Sequence, residues 1–368
     1  MLTKRRLLSA AASSALGLAL AETSVPARAA GPKRVVLLVS GTLGDKSFFD
    51  SANHGMQLIK AKYGAKVETR VIEMGYDQSK WQPTFEDIAG QNWDMIICGT
   101  YQLPDILAPV AADNPKRNFV IFDSSMDYAK GQNKNVYSIT YKQNEASYLA
   151  GLMAEGMVKT GAIPKANGTA LGFLGGIDIP VINDFLTGYV AGAQAVNPAA
   201  KVAVSYIGSF SDAAKGKELA LVQYRSGVGI GFNVAGQAGL GQLAAAKDMN
   251  RLAIGVDSDQ EAIFRKSDPA TADKVVTSVL KRVDNSLLRA FDLLEAGKLP
   301  VGRTESLGLR EGAVGIVKNA VYDRLVPASV RDDVNKAEAD IAAGKITVPT
   351  AFGMTTAQLA ALRDNVRP

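Results

Sequence analysis

The feature that most constrains this chain is a unit of strand, glycine loop, helix and strand that ends on acidic residues. It is clearest from Phe232 to Gln260. Phe232-Asn233-Val234-Ala235-Gly236-Gln237 leads past Gly239 and Gly241 into a helical run, and Ala253-Ile254-Gly255-Val256 closes on Asp257-Ser258-Asp259-Gln260. Open α/β sheets place their ligands at the carboxyl edge of such strands, so this edge suits a small polar guest. The layout recurs near the start, where Val35-Val36-Leu37-Leu38-Val39 runs through Ser40-Gly41 to Gly44-Asp45-Lys46-Ser47-Phe48-Phe49-Asp50 and a helix from Ser51. Two such halves facing one another make a cleft.

The alternation extends along the chain. Apolar runs at Val35 to Val39, Val67 to Glu73, Met95 to Cys98, Phe119 to Phe122 and Val136 to Tyr141 read as strands. Amphipathic runs around Ser51 to Tyr63, Trp81 to Gly90 and Ile106 to Asn114 read as helices between them. Strands separated by helices of this length argue for βαβ units, a parallel sheet and right-handed crossovers. After a helix from Glu145 to Thr160 the pattern restarts, with strands at Leu171 to Gly175, Lys201 to Ile207, 229–234 and 252–256 and helices at 181–195, 214–225 and 239–248. The remainder holds a strand at Val275 to Leu280, helices at Val283 to Ala296 and Asp332 to Ala343, and a glycine-containing stretch from Ser306 to Val317. A tail too short for its own core must pack on the two existing domains, so the chain is expected to cross between them more than once and form a hinge. The expected fold is α/β, two doubly wound Rossmann-like domains: 31–142 with part of 281–368, and 143–280 with part of 300–320.

The first 29 residues stand apart. Lys4-Arg5-Arg6 precede an apolar run from Leu7 to Leu20, and Ala27-Arg28-Ala29 is a small-x-small site, which together read as a secretory leader cleaved after Ala29. The apolar run is short and rich in Ala and Ser, which argues against a membrane anchor. The Arg5-Arg6 pair fits twin-arginine export as well as the general route. With no cysteine in the leader, lipid attachment there is excluded, and a diffusible periplasmic product is expected. Of 41 basic and 36 acidic residues the leader takes four and one, leaving 37 against 35. That balance is no footprint for nucleic acid. The single cysteine, Cys98, sits in the apolar run Met95-Ile96-Ile97-Cys98-Gly99 and reads as core filler that cannot form an internal disulfide. His54 is the only histidine, so neither a histidine metal site nor a Cys-His pair is expected. No cofactor or metal is anticipated.

Several ordered motifs, Gly44-Asp45-Lys46-Ser47-Phe48, Glu145-Ala146-Ser147-Tyr148-Leu149-Ala150-Gly151, Phe173-Leu174-Gly175-Gly176, Asp212-Ala213-Ala214-Lys215-Gly216-Lys217-Glu218 and Ile254-Gly255-Val256-Asp257-Ser258-Asp259-Gln260, resemble those of the basic membrane protein family, also called purine-nucleoside-receptor-like. The resemblance covers nearly all of the chain after the leader. It implies a type I periplasmic binding fold, a substrate-binding component of an ABC importer, no enzymatic activity, a permease partner in the inner membrane, and a monomer that captures a purine nucleoside or base. The family's site residues fall on Phe48 and Phe210 as stacking aromatics, Asp123 and Asp257 as carboxylates at strand ends, Gly236 in the glycine loop, and Lys281. Two departures stand out: Val39 and Ser40 stand at the end of the first strand, where many relatives carry an aspartate or asparagine, and Phe49 replaces the usual asparagine. Losing that carboxylate widens the expected ligand to a bare base, a modified nucleoside or another heterocycle such as a flavin.

These residue types suit the task. A heterocyclic base needs flat apolar walls and a few convergent polar groups. Phe48 and Phe210, one from each half and both expected on loops at strand ends, supply walls worth roughly 1–3 kcal/mol each by stacking. A carboxylate at Asp123 or Asp257 can accept paired donors from vicinal hydroxyls or a base edge, and Lys281 would offset their charge in a closed cleft. Asp45 and Asp259 suit helix capping better than ligand contact. Gly236, Gly239 and Gly241 follow G-x-x-G-x-G, which is not the dinucleotide order. A sensor subunit of the same fold is one alternative. A nucleoside hydrolase using Asp123 and Asp257 is less favoured, because the acids are spread along the chain.

Overall fold

The computed structural model describes residues 31–163 and 171–368; the leader reading lies outside the described residues. The first half runs β1 (Lys33–Val39), α1 (Phe48–Tyr63), β2 (Val67–Glu73), α2 (Trp81–Gly90), β3 (Met95–Gly99), α3 (Pro104–Asp113), β4 (Asn118–Phe122) and β5 (Val136–Tyr141). The second half continues with α4 (Gln143–Lys159), β6 (Leu171–Gly175), α5 (Pro180–Val196), β7 (Val202–Tyr206), α6 (Ala213–Arg225), β8 (Ile230–Val234), α7 (Gly236–Asp248), β9 (Leu252–Asp257), α8 (Gln260–Arg265), α9 (Pro269–Ala272) and β10 (Val275–Lys281). The tail supplies α10 (Val283–Glu295), β11 (Arg303–Leu307), β12 (Val314–Ile316), α11 (Ala320–Leu325), α12 (Ala328–Ala342) and α13 (Thr356–Val366).

The strands form two six-stranded sheets in the orders β11-β5-β4-β3-β1-β2 and β12-β10-β9-β8-β6-β7. Apart from the antiparallel β10–β12 pair, the neighbours run parallel. Parallel sheets are covered on both faces, which is why β1 from Val35 onward and β3 read as continuous apolar runs. Along β1, Val35 and Leu37 join one buried cluster and Val36 and Leu38 another, the period of two that a strand imposes. The first of these clusters reaches into the second half through Phe173, Phe232 and Val256.

The chain passes between the sheets after β5, after β10 and between β11 and β12. These crossings are bonded together: Lys142 N donates to Leu307 O (2.9 Å) and Arg282 N to Ala313 O (2.8 Å). The Glu145 carboxylate accepts Leu309 N at 2.8 Å. Three linked crossings confine relative motion of the lobes to a hinge. Strand β11 was not anticipated. Arg303-Thr-Glu-Ser-Leu307 is polar because it is a half-exposed edge strand, and only its parallel register with Tyr137 to Tyr141 makes it one.

Candidate functional site

The strand ends of both sheets surround a cavity of about 290 Å³. Its first wall comes from the turn after β1. There the buried carboxylate of Asp45 accepts hydrogen bonds from Ser47 N (3.0 Å), Phe49 N (2.9 Å) and Asp50 N (3.1 Å). Burial pushes the Asp45 carboxyl up to about 6, and the three backbone donors restrain the rise. Asp45 thus takes over the orphan donors of the α1 N-terminus. That corrects the expected helix start: α1 begins at Phe48, so Phe48 lies on the first turn of a helix and not on a loop. It also leaves the Ser47 hydroxyl with no capping duty. Ser47 Oγ donates instead to Asp257 Oδ2, 2.5 Å away at the end of β9 in the other lobe.

A second bridge spans the cleft from β4 to β10. Lys281 Nζ donates to Asp123 Oδ1 at 2.7 Å, with the lysine side chain 3% and the aspartate 11% exposed. The ammonium lies 4.9 Å from the ring centre of Phe185, 5.5 Å from Phe48 and 5.8 Å from Tyr141, so aromatic faces replace its water. Burial pushes both carboxyls up, and Lys281 pulls both back. With Asp123 and Asp257 ionised, one buried cation faces two anions, so a ligand that brings hydrogen-bond donors would complete the balance. Asp123 (φ 58°) and Asp257 (φ 62°) both adopt the left-handed conformation, which turns each side chain off its strand end. Aspartate tolerates that region better than most residues.

The facing aromatic, Phe210, sits in the loop between β7 and α6. Its carbonyl accepts Ala238 N at 2.9 Å, and its ring lies against Gly176, where an added Cβ would stand 2.4 Å from a ring carbon. Gly236 opens α7 at φ 54°, beside Phe210. On the opposite wall Phe48 packs edge-on to Phe49 at 5.3 Å and against Phe122 at 5.4 Å. All six expected residues, Phe48, Asp123, Phe210, Gly236, Asp257 and Lys281, therefore line one cavity. Of the departures from the family pattern, Ser40 and Phe49 line it too, while Val39 is buried in the core of the first lobe. Asp259 caps α8 by accepting Ala262 N at 3.1 Å.

Sequence reasoning missed Tyr76, Trp81, Tyr101 and Phe185. Tyr101 had a usable signal, since it follows the end of β3 as Asp123 follows the end of β4. Phe185 had none: it is 1% exposed on an apolar helix and reads as core. Tyr76 OH reaches Gln237 Oε1 at 3.4 Å, another contact between the lobes. His54 lies outside the cavity lining and pairs with Asp284 at 3.1 Å. Cys98 is fully buried, and burial pushes its thiol well up. Among the described residues no group of three potential metal ligands occurs, and no helix is long and apolar enough to cross a membrane.

Two mainly parallel α/β sheets that turn their strand ends toward a shared cleft, joined by a triple crossing, define a type I periplasmic binding protein fold. The chain belongs to the PnrA-like family of ABC transporter substrate-binding proteins, whose family model matches residues 32–347. It is 34% identical over 330 residues to the ABC transporter nucleoside-binding protein BmpA of Lactococcus lactis subsp. cremoris, covering 86% of this chain and 89% of that one. Basic membrane protein D of Borreliella burgdorferi is 32% identical over 292 residues, covering 78% and 79%. In fold the chain matches the crystal structure of an ABC transporter solute-binding protein from Aeropyrum pernix K1, with TM-score 0.77, 22% identity and coverage of 91% and 98%. Proteins of this family bind a small molecule outside the cytoplasm and work with a permease.

Proposed function

We propose that this chain captures a purine nucleoside or purine base between its two lobes, stacking the base on Phe48 and Phe210 and holding its polar groups with Asp123, Asp257 and Lys281. The observation that carries this reading is the position of two aromatics from opposite lobes on one cavity of about 290 Å³, together with a buried Asp-Lys-Asp cluster. The relative that is 34% identical is named a nucleoside-binding protein, which supports the same class. A volume near the lower end of the roughly 300–1,000 Å³ usual for small-molecule sites suits a ligand of nucleoside size. The carboxylate missing at Val39-Ser40 leaves free bases close to nucleosides in rank.

A thermal-shift panel of purines, purine nucleosides, pyrimidines, flavin and sugars tests this. At about 100 times its dissociation constant the right ligand adds about 2.7 kcal/mol, a rise of roughly 5–10 °C. A purine should lead and sugars should do nothing; a sugar or amino acid that outranks every purine defeats the assignment. Adenosine, guanosine and inosine should be recovered unchanged after incubation, and base release that vanishes in Asp257→Asn would restore the hydrolase reading.

The Lys4-Arg5-Arg6 start, the apolar run, the Ala27-Arg28-Ala29 site and the lack of a leader cysteine support export as a soluble, unlipidated periplasmic protein that begins near Ala30. Intact mass of the exported protein checks it, and a product that keeps residues 1–29 or carries lipid would refute it.

A further inference from the structure

Beside the small cavity lies a larger one of about 820 Å³. Tyr101 and Asp123 from the first lobe and Ile179 and Val181 from the second line both. The larger chamber is built. One wall is formed by Ser124, Ser125 and Thr140 at the ends of β4 and β5, and the other by the segment that follows α12. That segment is held in place: Asp184 Oδ1 accepts Ala351 N at 2.8 Å and Thr350 Oγ1 at 2.5 Å, and Asn144 Nδ2 donates to Val348 O and Pro349 O at 3.1 Å each.

Two features mark the structure around this chamber: one behind its wall, and one at its junction with the small cavity, where Thr100 lines the smaller space. Gln143, 1% exposed, gives its Nε2 to Asp184 Oδ2 at 2.8 Å but leaves Oε1 without a partner. A buried amide oxygen left unpaired is costly to the fold, and Gln143 carries that cost in the layer directly behind the chamber wall. Thr100, at φ 152°, holds a backbone conformation that side chains other than glycine rarely adopt, directly before Tyr101, which stays 40% exposed where the two cavities meet. Strain kept beside a cavity points to a constraint of use over one of folding.

We propose that the larger chamber receives a polar substituent carried by the bound purine, so that the ligands include nucleosides extended by an uncharged or zwitterionic chain. The charges on the wall select against a phosphate. Lys142 lies 3.6 Å from Glu145, Arg310 lies 3.0 Å from Glu311, and Asp184 adds a further carboxylate, so each cation on the chamber wall among the described residues already has an acidic partner. A dianionic group entering there would meet acids whose cations are taken. A neutral or internally balanced chain meets donors and acceptors on Ser124, Thr140 and Thr347 without that penalty.

This rests on the purine reading, and the test separates the two. Calorimetry would compare adenosine and guanosine, each bare, with a hydroxyhexyl chain on its exocyclic amine, with the same chain on the 5′ oxygen, and as the 5′-monophosphate. The proteins would be the wild type and two variants that fill the chamber from opposite walls, Thr140→Trp and Ala342→Trp, neither of which lines the small cavity. At least one extended nucleoside should bind within about tenfold of its parent. Whichever filled variant folds should weaken that ligand by about tenfold or more while moving the bare parent by less than about threefold. The proposal is overturned if bare nucleosides bind but no extended one comes within that range, if filling affects parent and extended ligand alike, or if a monophosphate binds more tightly than every extended form. Failure of both bare nucleosides would bring down the purine assignment itself.

Discussion

Lys281→Met should weaken purine binding by about 2–5 kcal/mol, roughly 30-fold to several thousand-fold, while the unliganded protein keeps most of its stability. The lysine is the cation between Asp123, at 2.7 Å, and Asp257, and burial already pushes both carboxyls up. Removing it leaves two carboxylates with no positive partner in a cleft walled by Phe48, Phe185 and Tyr141. The penalty belongs to the closed state, because in an open cleft water can solvate both acids. Calorimetry with the best purine, together with small-angle scattering of the apo and liganded forms, should show lost affinity and lost closure together. A variant that binds within about threefold of wild type, or whose apo form unfolds far below it, would show that Lys281 serves the fold and not the ligand. Lys281→Met with Asp123→Leu should recover part of the loss, since replacing a buried pair by apolar residues is often neutral where breaking it is costly.

Phe210→Ala should weaken binding by roughly 1–3 kcal/mol through lost stacking, with little change in apo stability, because the ring is only partly buried in a loop. Gly176→Ala should reproduce much of that loss without touching the phenylalanine, since its methyl would stand 2.4 Å from a ring carbon and must displace the ring. Phe48→Ala is expected to cost binding by a similar amount and folding as well, because Phe48 starts α1 and packs on Phe49 and Phe122. Phe48→Leu separates the two roles, keeping apolar volume while losing the flat face. Titration and thermal denaturation of each variant check these expectations. Unchanged affinity in both alanine variants would return the two rings to structural duty.

Much of the scaffold follows from local pattern. Val67–Glu73 and Val136–Tyr141 have the bounds their β-rich composition predicts, and the apolar runs Val35–Val39 in β1 and Met95–Gly99 in β3 announce parallel strands covered on both faces. The carboxyl ends of such strands, β4 and β9 among them, then mark where polar residues such as Asp123 and Asp257 emerge, because a strand delivers whatever follows it to the sheet edge. Other elements carry no such signal. Arg303–Leu307 is an edge strand whose polarity hides it, and α13 is set by a capping box at Thr355 and Gln358 on a helix with little apolar face.

What only the tertiary structure decided is which strand ends meet. Ser47 and Asp257 are 210 residues apart and Asp123 and Lys281 158 apart, yet each pair is hydrogen-bonded across the cleft. Pairing at that separation depends on the closure of two lobes around three crossings, a balance of burial over the whole chain that no local window contains. The same holds for Phe185 and Tyr101, whose place on the cavity wall depends on how α5 and the turn after β3 pack against the other lobe. It holds as well for Phe48, which the sequence places beside a strand end but which became the first residue of a helix because Asp45, and not Ser47, took the donors of its first turn.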